Sequence, residues 1–159
     1  MTMPLAKLDL LAGYAAAFAL VAAAQAALVS SVAFWLLDLQ VAGPQWAVIL
    51  LAIANAVLGT ALGLFVSAFA RTEFQAVQFL PAFVFPQLLL CGLLTPRDRM
   101  AHVLEIASWA APLTYAYDAL DRTTRAVYGT RLAGDAAVVL GLTAVALLAG
   151  ALTLRRRTP

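Results

Sequence analysis

An all-α membrane protein is the fold class this sequence predicts, with four transmembrane helices and an extracellular amphipathic helical hairpin before the last span. Three observations predict it. Of 159 residues, 64% are hydrophobic and 11% charged, against about a quarter charged in a soluble domain, and a soluble core cannot absorb that much apolar surface. Charge-free runs cover 10–37, 39–70, 74–96 and 136–154, and a bilayer asks for about 20 apolar residues per helix. Between Gly92 and Arg125, by contrast, breakers, caps and paired charges are crowded together. The spans are placed at about 10–37, 46–70, 74–95 and 135–154, the interfacial helices at about 96–111 and 113–127, all in one membrane domain over 1–159.

The first span follows Lys7 and Asp9 and is too long for a signal-peptide core, so it is retained. Phe34 and Trp35 sit near its far end, and Trp46 opens the second span, as interfacial anchors do. The loop between them holds Gly43, Pro44 and Asp38 but no Lys or Arg, and is assigned to the non-cytoplasmic side. In the second span Ala52, Ala56, Gly59, Gly63 and Ser67 form a small-residue stripe. Gly59 and Gly63 are read as helix-packing positions, against a neighbour in the chain or a second copy. Asn55 is mid-span and is expected to bond to an adjacent helix, since an unpaired amide is costly there.

Arg71, Thr72 and Glu73 make a tight surface turn before the third span. That span contains Pro81 and Pro86, each removing a backbone donor and bending a helix, with Gln87 beside the second. The three are candidates for a path lining or gate. Thr95, Pro96 and Asp98 read as a helix start, with a hydroxyl cap and proline at the first position. The residues Met100, Val103, Leu104 and Ala107 recur at helical spacing between charges, as in an interfacial helix. Pro112 ends it and Thr114 caps the next, in which Asp118 with Arg122 and Asp121 with Arg125 are pairs four apart.

Several function classes find no residues to carry them. One cysteine, Cys91, and one histidine, His102, leave no four-ligand zinc set, and no phosphate-binding Gly-x-x-x-x-Gly-Lys-Ser/Thr string occurs. The one basic cluster, Arg155 to Arg157, directly follows a hydrophobic run and suits a cytoplasmic flank rather than nucleic acid. His102 and Glu105, one turn apart, are too few for a metal enzyme. Counting basic residues does not decide orientation, and cytoplasmic termini are favoured because the terminal arginines are tightest and the first loop has none.

The segments Glu73 to Ala76, Leu90 to Met100 (Leu-Cys-Gly-Leu-Leu-Thr-Pro-Arg-Asp-Arg-Met) and Pro112 to Leu120 (Pro-Leu-Thr-Tyr-Ala-Tyr-Asp-Ala-Leu) resemble the ABC type-2 permeases. These are the membrane subunits of ATP-driven drug, antibiotic and polysaccharide exporters. The resemblance covers nearly the whole chain. It makes the four spans the third to sixth helices of a six-helix unit whose first two are missing, and Gly92, Pro96, Pro112, Tyr115 and Asp118 the motif of the extracellular hairpin. It also implies an ATPase-coupling surface at Pro4, Lys7, Asp9, Arg71 and Glu73. A separate ABC ATPase would hold ATP and magnesium, this chain binding no cofactor. A second permease copy, as homo- or heterodimer, and membrane lipid complete the expected partners. The expected function is export of an amphipathic or drug-like substrate across a bacterial cytoplasmic membrane, both termini inside; the alternative is a truncated or scaffold membrane protein without transport.

Overall fold

The computed structural model describes residues 7–70 and 72–153. In chain order these form α1 (Lys7–Trp35), α2 (Gln45–Ser67), α3 (Glu73–Leu90), a 3-10 turn (Arg97–Arg99), α4 (His102–Ser108), α5 (Pro112–Thr124) and α6 (Thr130–Thr153), with no strand among the described residues. Three helices are long and apolar enough to cross a membrane: Gly13–Trp35 of α1, Gln45–Ser67 of α2 and Thr130–Gly150 of α6. Most of each is unburied within the chain. The large side chains Leu20, Leu28, Leu50, Leu140 and Leu148 are exposed, which suits lipid as the solvent. α3 is not among the three: its 18 residues carry Glu73, Gln75, Gln78 and Gln87 beside Pro81 and Pro86.

The core joins α2, α5 and α6. Leu58, Ala116 and Val139 are buried together, with Ala54, Leu62, Leu113, Tyr115 and Leu142 packed around them. α6 runs parallel to α2, since Leu58 meets Val139 near the middle of both helices and Phe65 lies against Gly150 towards the C-terminal end of both. The α1–α2 loop docks on the end of α5: the Ala42 N–H donates to the Thr124 carbonyl at 2.8 Å. A Cβ at Gly43 would overlap the Thr123 carbonyl oxygen, so only glycine allows this approach.

At the opposite end of α2 turns continue through Phe69, and α3 starts after Thr72, whose hydroxyl accepts from the Gln75 N–H at 3.2 Å. α3 then returns beside α2. Its 18 residues rise about 27 Å at 1.5 Å each, close to the ~30 Å of a hydrocarbon core.

The structure corrects several expected boundaries. The third helix ends at Leu90 rather than near residue 95, because residues 91–95 bend and Gly92 takes φ +97°. The interfacial helix expected at 96–111 is broken in two. Thr95 and Pro96 open only the 3-10 turn, with no side-chain cap, and extended backbone at Met100 and Ala101 separates it from α4. Its partner, expected at 113–127, is not surface-lying along its length: α5 buries Thr114, Ala116, Ala119 and Thr123 in the bundle. Thr114 does not cap α5. Ala111 is the cap residue, and the Thr114 hydroxyl donates to the Ser108 carbonyl at 2.7 Å, tying α5 back to α4.

Candidate functional site

Two features stand out: a lattice of ion pairs at the end of the molecule that carries the hairpin, and a cavity between helices that reaches from Gln87 and Leu113 to Ser67 and Ala76. Both depend on α5, whose Pro112 occupies the first turn, where its missing N–H costs nothing.

The lattice departs from the expected spacing rule. Asp121 and Arg125 do pair four residues apart, at 2.9 Å, and Arg125 is largely exposed. Asp118 does not pair with Arg122. It accepts from Arg97 of the 3-10 turn, while Arg122 reaches Asp135 near the start of α6 at 3.1 Å. The reason is burial: these four side chains are between 13% and 27% exposed, and a partly desolvated charge gains most from a partner fixed on another packed element. The two pairs therefore link the hairpin's first arm to α5, and α5 to α6. Asp135 heads an apolar run with no cation among its sequence neighbours except Arg131, and that isolation is the sequence signal that it needs a distant partner.

Around Arg97 the hairpin closes on itself. Its guanidinium carbon lies 5.3 Å from the centre of the Trp109 ring, a cation–π contact. The Trp109 carbonyl accepts from the Tyr115 hydroxyl at 2.8 Å, and the two rings meet edge to face. Gly92, in its left-handed conformation, sits beside Arg97 and Tyr117. Thus Gly92, Tyr115 and Asp118 of the hairpin motif converge on Arg97 or its neighbour Trp109, while Pro96 caps the 3-10 turn.

The cavity, of about 300 Å³, lies between α2, α3 and α5. Gly59 and Gly63 line it, with Asn55 from α2, Phe83, Val84 and Gln87 from α3, and Leu113 from α5. The expectation that the two glycines pack against a neighbour in the chain is corrected here: no atom lies within 4 Å of where a Cβ would stand on either. α2 buries Val48, Leu58 and Ala61 instead, which leaves the glycine face as wall. Gln87 is the link between cavity and hairpin. Its amide nitrogen donates to the Phe83 carbonyl at 3.1 Å, and its oxygen accepts the Leu113 N–H at 3.2 Å, one of the free donors at the start of α5. α3 stays helical through Pro81 and Pro86, which deprive the Val77 and Ala82 carbonyls of their usual partners. The Asn55 side chain makes no hydrogen bond among the described residues, so the expected bond to an adjacent helix is absent.

Pro4 and Arg71 lie outside the described residues; Lys7 and Asp9 belong to the first turns of α1, and Glu73 begins α3, exposed. His102 and Glu105 lie 3.6 Å apart on α4, His102 mostly exposed, and no group of three His, Cys, Asp or Glu assembles among the described residues.

Residues 1–123 match the family model described as ABC-2 type transporter. Comparison with curated proteins and with solved structures returns no match.

Proposed function

The chain belongs to the ABC-2 type transporter family, and on that premise we propose that it is the permease of an exporter that moves an amphipathic or drug-like molecule outward across a bacterial cytoplasmic membrane. The family establishes a multi-pass membrane permease that is not itself catalytic and works within an ABC transporter system. Export, substrate class and coupling to one particular ATPase are the proposal. The observation that carries it is the match over residues 1–123. The cavity between α2, α3 and α5 supports it, because a space shared by packed helices and tied to the hairpin through Gln87 changes shape when those helices shift.

The reading takes α3 as a fourth crossing. Its start follows the end of α2 distant from the α1–α2 loop, and its Gln87 bonds to the hairpin, whose α5 holds that loop; a helix joining two such levels traverses the same depth as α2. With four crossings both termini share one side, taken as cytoplasmic, and the 68–72 turn with Glu73 faces the ATPase there, beside Pro4, Lys7, Asp9 and Arg71. ATP and magnesium belong to that partner, and a second permease copy completes the pathway. The ATPase supplies the differential binding energy that shifts the helices between two arrangements.

Reconstituting the chain with a co-purifying ATPase tests this. Substrate-stimulated ATP hydrolysis that Gln87→Leu weakens is expected. Hydrolysis indifferent to the permease and its variants would favour a scaffold without transport.

A further inference from the structure

Two further cavities run along the seam between α1 and α2, sharing Asn55, Gly63 and Ser67 of α2 with the cavity against α3. One, of about 370 Å³, includes Phe18, Val21 and Ser67; the other, of about 450 Å³, includes Val29, Ser30 and Asn55 and is bounded by Leu120 of α5. Ala22, Gln25 and Thr60 line both, so the two form one groove along the seam. Three features of this groove bear on what it can hold.

Its largely apolar walls carry several amide and hydroxyl side chains. The side chains of Gln25, Ser30, Asn55 and Ser67 make no hydrogen bond among the described residues, and in hydrocarbon an unsatisfied polar group costs several kcal/mol. Only Thr60 is engaged, donating to the Ala56 carbonyl at 2.9 Å, and its oxygen can still accept. The groove is also uncharged, with no Asp, Glu, Lys or Arg lining either cavity. It opens sideways: Val21 and Val29, which form its α1 wall, are 60% and 58% exposed on a membrane-spanning helix.

We propose that this α1–α2 groove binds the head of a neutral, hydrogen-bonding amphipath, a hydroxyl- or amide-bearing lipid-like molecule whose chain remains in the bilayer. Amides and hydroxyls offer donors and acceptors to such a head, while a charged one would be desolvated without a counter-ion. Side access favours a membrane-dissolved ligand over a water-soluble one. Leu120 of α5 lines the groove beside Ser30 and Asn55, which brings it against the hairpin. This deepens the exporter reading by naming a substrate class and rests on it for transport, though not for binding.

The test is photolabelling of the full chain in liposomes, with two probes that share an acyl chain carrying a diazirine near its head: a monoacylglycerol, which is neutral, and a lysophosphatidic acid, which is anionic. Adducts are mapped by mass spectrometry. The neutral probe should label α1 and α2 peptides around residues 21–30 and 52–60, with the anionic probe labelling them far less. Replacing Gln25→Leu and Asn55→Leu together should cut that labelling about tenfold, as two neutral hydrogen bonds predict, while adducts on the exposed face of α6 stay unchanged. Ser30→Ala, a smaller change, should reduce labelling in the same direction. Equal labelling by both probes, unchanged labelling in the variants, or a groove that takes no label because another helix fills it would overturn the proposal. No ATPase takes part, so a labelled groove without a co-purifying ATPase would sink the exporter reading alone, and an unlabelled groove with one would sink this inference alone.

Discussion

Replacing Asp118 by Asn removes the charge that faces Arg97 while keeping the side chain's size. Asp118 is 13% exposed and Arg97 22%, and Nη1 of that arginine is buried without a partner. The guanidinium therefore depends on Asp118 and on the face of Trp109 for its compensation. Breaking a buried ion pair costs about 3–5 kcal/mol, and a charge-assisted hydrogen bond contributes about 1.5–3. With roughly a fifth of Arg97 reachable by water, the expected loss is about 2–3 kcal/mol. Asp121→Asn is the internal control, because Arg125 is 71% exposed and a helical pair of that kind is worth about 0.3–0.5 kcal/mol. The assay is thermal unfolding in mild detergent, read as the fraction that stays monodisperse. Asp118→Asn should lower the midpoint clearly and Asp121→Asn barely. In a double-mutant cycle, Arg97→Gln with Asp118→Asn should cost less than the two singles together, with a coupling above about 1 kcal/mol. Equal midpoints for Asp118→Asn and Asp121→Asn, or a coupling below about 0.5 kcal/mol, would refute the claim that this pair holds the hairpin to α5.

Three other changes probe the same end of the molecule. Gly92→Ala forces a side chain onto backbone at φ +97° and should destabilise by about 1–2 kcal/mol, seen as a lower unfolding midpoint; no shift would mean that the bend relaxes freely. Gly43→Ala collides with the Thr123 carbonyl and should lift the α1–α2 loop off α5, breaking the Ala42–Thr124 bond. Faster amide exchange at Ala42 reports it, and unchanged protection would contradict it. Gln87→Leu leaves the Leu113 N–H without its acceptor and should cost about 1 kcal/mol, with the thiol of Cys91, buried at the end of α3, becoming more accessible as α3 loosens; a silent variant would sever cavity from hairpin.

The long apolar helices were legible because lipid exposure imposes nothing beyond length and hydropathy: α1, α2 and α6 lie within a few residues of the expected 10–37, 46–70 and 135–154. α3 was less so. Its expected extension to residue 95 assumed that an apolar run stays helical, but the Cys91 N–H closes the last turn on Gln87 and the chain then bends. The hairpin was legible as a place and not as a geometry. Spacing of four pairs Asp118 with Arg122, and nothing local says that Arg97, far back in the chain, competes for Asp118, or that Asp135 draws Arg122 away. The stripe through Gly59 and Gly63 illustrates the same limit. Small residues permit close approach, but spacing alone does not say whether a helix or a cavity takes the room; here a cavity does, and Leu58 and Leu62, which also pack into the core, line it beside the two glycines.

The permease reading is tested most directly by purifying the chain from its native membrane in mild detergent and identifying by mass spectrometry what comes with it. An ABC ATPase in fixed proportion to the chain, lost when the 68–72 turn and Glu73 are replaced, is the result expected. The chain recovered without any nucleotide-binding partner, from a membrane in which such ATPases are present, would contradict it.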